Sequence, residues 1–292
     1  MKSVAIIMRT KDRPALLRRA LLSVAAQTFT DWHLVIVNHN APREPVEKLV
    51  SETAHIAGKV TLVEHCKPSR EAGYQIGINA SESTYICMHD DDDTWEPDFL
   101  EKTVAYLRNS SPEVYGVVTK VMCVHETMKK GTPIELSRTP FFPEYASISI
   151  EQLAAYNVFP PIAFLFRRDA LSKVGPYRAD IPVLADWDFH LRFALEYDID
   201  VIPEFLANYH IRPESSHLEY ANTITREKHL HTYYKNMLLQ EAIREDYHSG
   251  KIGKGILMLL AAQTHTLDVR STQILQHRNR IERILHSLFG KR

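Results

Sequence analysis

The first 110 residues alternate short apolar runs of strand length with segments whose apolar residues recur at helical spacing. "SVAIIM" (3–8), "HLVIVN" (33–38), "KVTLVEH" (59–65) and "TYICMH" (84–89) read as strands. Between and after them, "RPALLRRALLSVAAQ" (13–27), "EPVEKLVSETA" (44–54), "REAGYQIGINAS" (70–81) and "EPDFLEKTVAYLRNS" (96–110) read as helices. Strands alternating with helices imply a parallel sheet covered on both faces. Ligands of such α/β sheets bind beyond the carboxyl ends of the strands. Those ends carry the polar residues of this region: Arg9-Thr10, Asn38-His39-Asn40, Cys66 to Arg70, and a run of aspartates.

That run, Asp90 to Asp93 in "YICMHDDDDTWEPDF", raises a physical question. Four adjacent carboxylates repel one another, yet they follow an apolar strand and precede Trp95. Capping of the next helix by one of them is a first reading; capping does not need four. A solvated acidic tip and a divalent-metal site are the remaining readings. Oxygen-rich sites suit Mg²⁺ or Mn²⁺, and Mg²⁺ often sits on one or two carboxylates plus substrate phosphates. A bound cation would offset the repulsion.

The pattern changes after residue 110. "VYGVVTKVMCVHE" and "MKKGTPIELS" predict a hairpin turning near Lys129-Lys130-Gly131. A short helix is expected at 149–157. "IAFLFRRDALSKVG" predicts a strand and a short helix ending at Gly175, and "LADWDFHLRFALEYD" (184–198) a helix opening on Asp186 and Asp188. From Ser216 onward the chain reads as mostly helical, with a break at "HSGKIGKG". We expect residues 1–215 to form one domain, with halves 1–110 and 111–215, and 216–292 a helical C-terminal extension.

Several classes are disfavoured. Of the 292 residues 45% are hydrophobic, enough for a large core. The net charge of −1 does not point to nucleic acid. The opening "MKSVAIIMRTKDRP" is unlike a secretory leader, no run approaches the ~18 apolar residues of a membrane span, and Cys66, Cys87 and Cys123 fit buried reduced thiols. A cytoplasmic location is expected. The segment "TQILQHRNRIERILHSLFGKR" interleaves Ile274, Leu275, Ile281, Ile284, Leu285 and Leu288 with Arg278, Arg280, Arg283, Lys291 and Arg292. Such a basic amphipathic helix suits peripheral contact with the inner face of a membrane, packing on the body, or dimerisation.

Three stretches together resemble family 2 glycosyltransferases of the GT-A fold: "AIIMRTKDRPALLRRALLSVAAQTFTDWHLVIVNHN", "YICMHDDDDTWEPDFLE" and "VGPYRADIPVLADWDFHLRFALEYDIDVIPEFLANYHIRPESS". The resemblance implies a mostly parallel Rossmann-like sheet flanked by helices. It implies a metal-dependent, inverting transfer from a nucleotide sugar, UDP or dTDP favoured, to a saccharide or lipid-linked acceptor. Bacterial surface polysaccharide or lipopolysaccharide synthesis is the implied setting. Asp90 and Asp92 match the DxD pair, Asp92 on Mn²⁺ or Mg²⁺ and Asp90 on the ribose or a metal-bound water, with Asp91 between them at the donor site. Thr10 and Asn38 match positions at the nucleotide, Arg70 a basic contact, and His210 and Arg212 a basic loop over the diphosphate. Trp95 is either a core residue or a wall against the donor sugar. Asp186 matches the general base, Ala185 replacing the usual Glu before it; the competing reading makes Asp186 a helix-start stabiliser. Asp188, two residues on, points away from it. Ala185 and the His-Ile-Arg order also keep a non-catalytic nucleotide-sugar binding subunit in play. A nucleotidyltransferase is the other alternative, disfavoured because "MRTKDRP" has no glycine for a triphosphate loop.

Overall fold

The computed structural model describes residues 2–66, 71–141, 145–212 and 228–253. Strand β1 (Lys2–Thr10) is buried from Val4 to its end and lies at the heart of the sheet. It pairs in parallel with β2 (Trp32–His39) on one side and β4 (Ser83–Asp90) on the other, and β2 pairs in parallel with β3 (Val60–His65). Helices α1 (Pro14–Ala25), α2 (Arg43–Glu52) and α3 (Ala72–Asn79) make the crossovers, as the alternation predicts. The chain builds outward through β2 and β3, then returns to the far side of β1 as β4. The carboxyl ends of β1 and β4 therefore flank a topological switch point, where a crevice opens.

The second half is mixed. After the two-residue β5 (Thr94–Trp95) and α4 (Phe99–Asn109), β6 (Val114–Lys129) and β7 (Thr132–Phe141) form the expected hairpin. Its turn places Lys130 and Gly131 at positive φ (49° and 77°), the requirement of a two-residue type I′ turn. Helix α5 (Ile150–Ala155) follows, capped by the Ser149 hydroxyl. β8 (Phe164–Arg167) inserts antiparallel between β4 and β6, and α6 (Leu171–Val174) ends at Gly175, whose φ of 78° suits a glycine. Helix α7 (Ala185–Glu196) precedes β9 (Asp198–Ile211), which runs parallel to β6. The order is β3-β2-β1-β4-β8-β6-β9-β5, with β7 beside β6. Sequence reading did not anticipate β9: Pro203 and irregular register against β6 leave it no clean period of two.

The chain divides into two compact units, Met1–Tyr234 and Lys235–Arg292. Helix α8 spans Lys228–His248. The boundary expected after residue 215, and the basic segment 271–292, fall outside the described residues. No helix among the described residues is long and apolar enough to cross a membrane.

The close packing of α3 on the sheet yields a test. A Cβ at Gly77 would run into Ile7 Cγ2 and stand 3.2 Å from Val37 Cγ2. Gly77→Ala is expected to lose roughly 1–3 kcal/mol through overpacking, despite a helix-propensity gain of up to about 1 kcal/mol. A lowered urea midpoint at unchanged m-value would show it; an unchanged midpoint would mean that α3 can shift.

Candidate active site

Register brings opposite charges together at the switch point. Arg9 of β1 lies beside Asp90 of β4. Its guanidinium donates to Asp90 Oδ1 at 2.8 and 3.0 Å, to Glu71 Oε2 at 2.8 Å and to the Tyr74 hydroxyl at 2.7 Å. Tyr74 Oη in turn donates to Asp90 Oδ1 at 3.1 Å, and its ring lies 3.5 Å beneath the Arg9 guanidinium. Glycine at 73 keeps this approach open, since a Cβ there would meet Arg9 Cδ at 3.1 Å.

The other aspartates are answered in the same way. Asp91 accepts from the Thr10 hydroxyl at 2.7 Å and from Arg13, which precedes α1. Asp92 accepts from Arg13 Nη1 at 3.4 Å and from Arg212. Asp93 accepts from the His210 backbone N–H at 2.9 Å. Behind them, Glu126 accepts from Arg212 Nη1 at 2.5 Å, from Arg19 Nη1 at 2.7 Å, and pairs with His210 Nδ1 at 3.0 Å. The β6–β7 register shifts at His125/Glu126, and this irregularity accompanies Glu126 entering the interior while His125 bonds outward to Thr139. Arginines thus offset the repulsion at Asp90, Asp91 and Asp92, and a backbone amide meets Asp93.

The charge states follow. Burial opposes ionisation of Asp92, but Arg13 and Arg212 outweigh it and hold that carboxyl below the usual range. Burial also opposes ionisation of Glu126, yet His210 and Arg19 bring it down to about 2. Asp93 goes the other way: burial and the charges of Asp92 and Asp90 push it well up.

A cavity of about 210 Å³ opens onto this network. Arg9, Lys11, Arg13, Asp90, Asp92 and Asp93 contribute to its wall. Farther round stand Val37, Gly73, His39 and His65, whose rings lie 4.7 Å apart. The wall also carries Asn157, Pro160, Pro161 and, at the start of α7, Leu184 and Asp186. Leu184 is held at a φ of 67°, a left-handed conformation uncommon for a branched side chain and typical of functional sites. Asp186 accepts from Asn157 Nδ2 at 2.8 Å. Burial, then the Glu71 charge, raise its pKa to about 6, against the pull of nearby backbone amides and Arg9. A carboxyl so poised can take a proton near neutral pH.

Residues 5–175 match the family model for glycosyl transferase family 2. The chain belongs to glycosyl transferase family 2. Among its family relatives, the uncharacterized glycosyltransferase YwdF of Bacillus subtilis (strain 168) is 26% identical over 202 residues, covering 68% of this chain and 71% of YwdF. A PGL/p-HBAD biosynthesis glycosyltransferase of Mycobacterium tuberculosis (strain ATCC 25177 / H37Ra) is 24% identical over 191 residues, covering 64% of this chain and 68% of the relative. The solved structure of S. aureus TarS 1-349 superposes with a TM-score of 0.56 at 15% identity, covering 71% of this chain. This chain spans about 60% of the length of that one. The likeness establishes the fold as GT-A, a mixed α/β sheet with flanking helices.

Within this family 2 framework, the structure gathers Thr10, Asp90, Asp92 and Asp186 around one cavity. Six other expected site residues are placed differently or not described. Asn38 is fully buried and does not line the cavity; its amide donates to Ala41 O at 2.8 Å and to Glu64 at 3.1 Å, while Val37 and His39 on either side face the opening. Asp91 is buried against Thr10 and Arg13, below the cavity wall. Trp95 is a core residue, stacked 4.4 Å from Phe99 and donating to Ile162 O at 2.7 Å, and so is not a wall for a sugar. His210 and Arg212 are buried among Glu126, Asp92 and Asp93 rather than poised over a ligand. Arg70 lies outside the described residues. Asp188 pairs with Arg192 at 2.7 Å, away from the cavity as expected.

Residues to which sequence reading gave no role of their own are Arg9, noted only as a strand end, with Arg13, Glu71, Tyr74, Glu126 and Asn157. Arg9 and Arg13 left a signal, a basic cluster following an apolar strand in a chain that places four aspartates after another. Asn157 and Glu126 left none.

Proposed function

We propose that the protein is an inverting glycosyltransferase that moves a sugar from a nucleoside-diphosphate donor to an acceptor hydroxyl. The observation that carries this reading is that Asp186, poised near neutral, shares one cavity with Arg9, Lys11, Arg13, Asp90 and Asp92. The cations supply positive charge for a diphosphate at the switch point. Asp186 accepts the proton of the acceptor hydroxyl while its oxygen attacks the anomeric carbon. The bond from that carbon to the diphosphate breaks on the opposite face, its electrons leave with the nucleoside diphosphate, and the configuration inverts.

Asp90 and Asp92 fit a divalent ion held by one or two carboxylates plus donor phosphates. Both face the cavity, and the Asp90 side chain is 29% exposed. Among the described residues no group of three or more His, Cys, Asp or Glu side chains forms a cage of its own. Bound there with the donor, Mn²⁺ or Mg²⁺ would neutralise charge on the departing diphosphate. A uridine nucleotide sugar is the favoured donor: TarS has been solved in complex with UDP and with UDP-GlcNAc. A saccharide or lipid-linked acceptor in bacterial glycan synthesis is favoured by the mycobacterial relative's biosynthetic name.

Calorimetric titration of UDP tests the metal assignment. Affinity should fall by about tenfold or more when Mn²⁺ is replaced by chelator, since carboxylates facing a diphosphate repel it without a cation between them. Equal affinity in both buffers would remove the metal from the scheme and leave Arg9, Lys11 and Arg13 to hold the phosphates.

A further inference from the structure

We propose that Asn157, locked in place by His190, is the positioning residue that aims the Asp186 carboxylate. The inference rests on the assignment of Asp186 as base.

The local geometry specifies the amide's orientation. Asp186 and His190 are four residues apart on α7, so they share one helix face. Asn157, in the segment between α5 and Pro160, bridges them: Nδ2 lies 2.8 Å from Asp186 Oδ2, and Oδ1 lies 3.1 Å from His190 Nδ1. Trp187 ties the two elements together by donating its indole N–H to Leu153 O. His190 is fully buried, with its ring 4.2 Å from Phe159 and edge-on to Phe164. Burial lowers its pKa to about 3, so the ring is neutral throughout the working range. An amide oxygen only accepts, so His190 must present Nδ1–H to it. The Asn157 amino group is then committed to Asp186. Turning the amide over would set two acceptor oxygens against each other.

This arrangement has two consequences for a base. It occupies one carboxylate oxygen at a defined position, which sets the plane in which the other lone pairs face the cavity. It also favours the ionised form, because the donor bonds to charge. The ionisable groups around Asp186 are Glu71 and Tyr74 at α3, Arg9 of β1, Tyr177 ahead of α7 and Tyr209 of β9. Glu71 opposes ionisation and Arg9 favours it. Among the described residues Asn157 is the side chain that hydrogen-bonds Asp186 directly, and it carries no charge that changes with pH. His190 Nε2 is buried without a partner among the described residues, a cost that holding Nδ1–H in place would offset.

The test is a set of pH–rate profiles for sugar transfer with wild type, Asn157→Leu, His190→Phe and Asp186→Asn. Asn157→Leu keeps much of the shape and loses the hydrogen bond. Its kcat should fall by roughly 10–100-fold with donor KM within about twofold, and the acid-side ionisation should rise by about one pH unit. His190→Phe keeps the aromatic stack but frees the amide. It should shift the profile in the same direction by less, and it serves if Asn157→Leu does not fold. Combining Asn157→Leu with Asp186→Asn should cost no more than Asp186→Asn alone, because one residue acts through the other. Unmoved acid limbs in both variants, or losses that add in the double variant, would overturn the positioning role while leaving the base assignment standing. Full transfer by Asp186→Asn would overturn both.

Discussion

Asp186→Asn is expected to slow sugar transfer by roughly 10²–10⁴, the range that general-base catalysis supplies. Asn keeps the size of the side chain and a hydrogen-bonding group but cannot take a proton. Binding of UDP should stay within about twofold, because Asp186 acts on the acceptor rather than on the diphosphate. The same substitution should stabilise the protein. Burial holds the folded pKa at about 6, above the 3.8 of a free carboxyl, so the native state holds the proton more tightly than the unfolded chain. Stability from this group is therefore present at low pH and is lost as pH rises through about 6; at pH 7.5 the ionised side chain is a net cost. Removing that cost should gain about 1–3 kcal/mol, the upper end being reached only if the carboxylate is fully shielded from the cavity's water. A helix-start role for Asp186 forecasts the reverse, a lower melting temperature with transfer intact. Measuring melting temperature and transfer on one preparation decides between them, and retention of configuration in the product would independently reject a single displacement.

The largest stability effect is expected at Arg212. It is fully buried and bonds both Asp92 and Glu126. Arg212→Met keeps a long apolar stem and removes the charge, leaving two buried carboxylates short of a partner. Breaking a buried pair in this way costs about 3–5 kcal/mol, more than the pair adds over an apolar substitute. For a unit of this size that corresponds to a melting temperature lower by about 6–20 °C. The pH dependence carries a signature of its own. His210 and Arg19 hold Glu126 down at about 2, below the 4.5 of a free side chain, so its contribution is full above about pH 4.5 and is lost as pH falls through about 2. The variant should show a shallower acid decline than wild type, because part of that contribution is already gone. Urea midpoints measured from pH 7 to pH 3 test both points. A loss below about 1 kcal/mol would mean that Arg212 is solvated in solution and that the network is looser than described.

How far the site can be read from sequence depends on which physical signal each residue leaves. A run of aspartates after an apolar strand is visible, because strand ends and charge are local properties. The direction of each side chain is not. Asn38 and His39 are neighbours, and alternation along β2 sends one into the interior and the other to the cavity; a shift of one residue exchanges them. Trp95 beside the aspartates was equally consistent with a core and with a ligand wall until its ring was found stacked on Phe99.

By itself the sequence determined the alternating strands and helices, the place of the hairpin turn, the family, and the placing of the aspartates and Asp186 at element ends. Each of these depends on burial periodicity or backbone preference over a few neighbouring residues, which a linear string records. Only the tertiary structure decided what each charge meets. Arg9 and Asp90 are 81 residues apart, and Arg212 and Asp92 are 120 apart. Whether four aspartates recruit an ion, face water or are shared among arginines depends on which charges the sheet order brings within about 3 Å, where the Coulomb term is large enough to offset desolvation. Sheet order follows from crossovers between distant strands, and no local pattern in the chain encodes those distances.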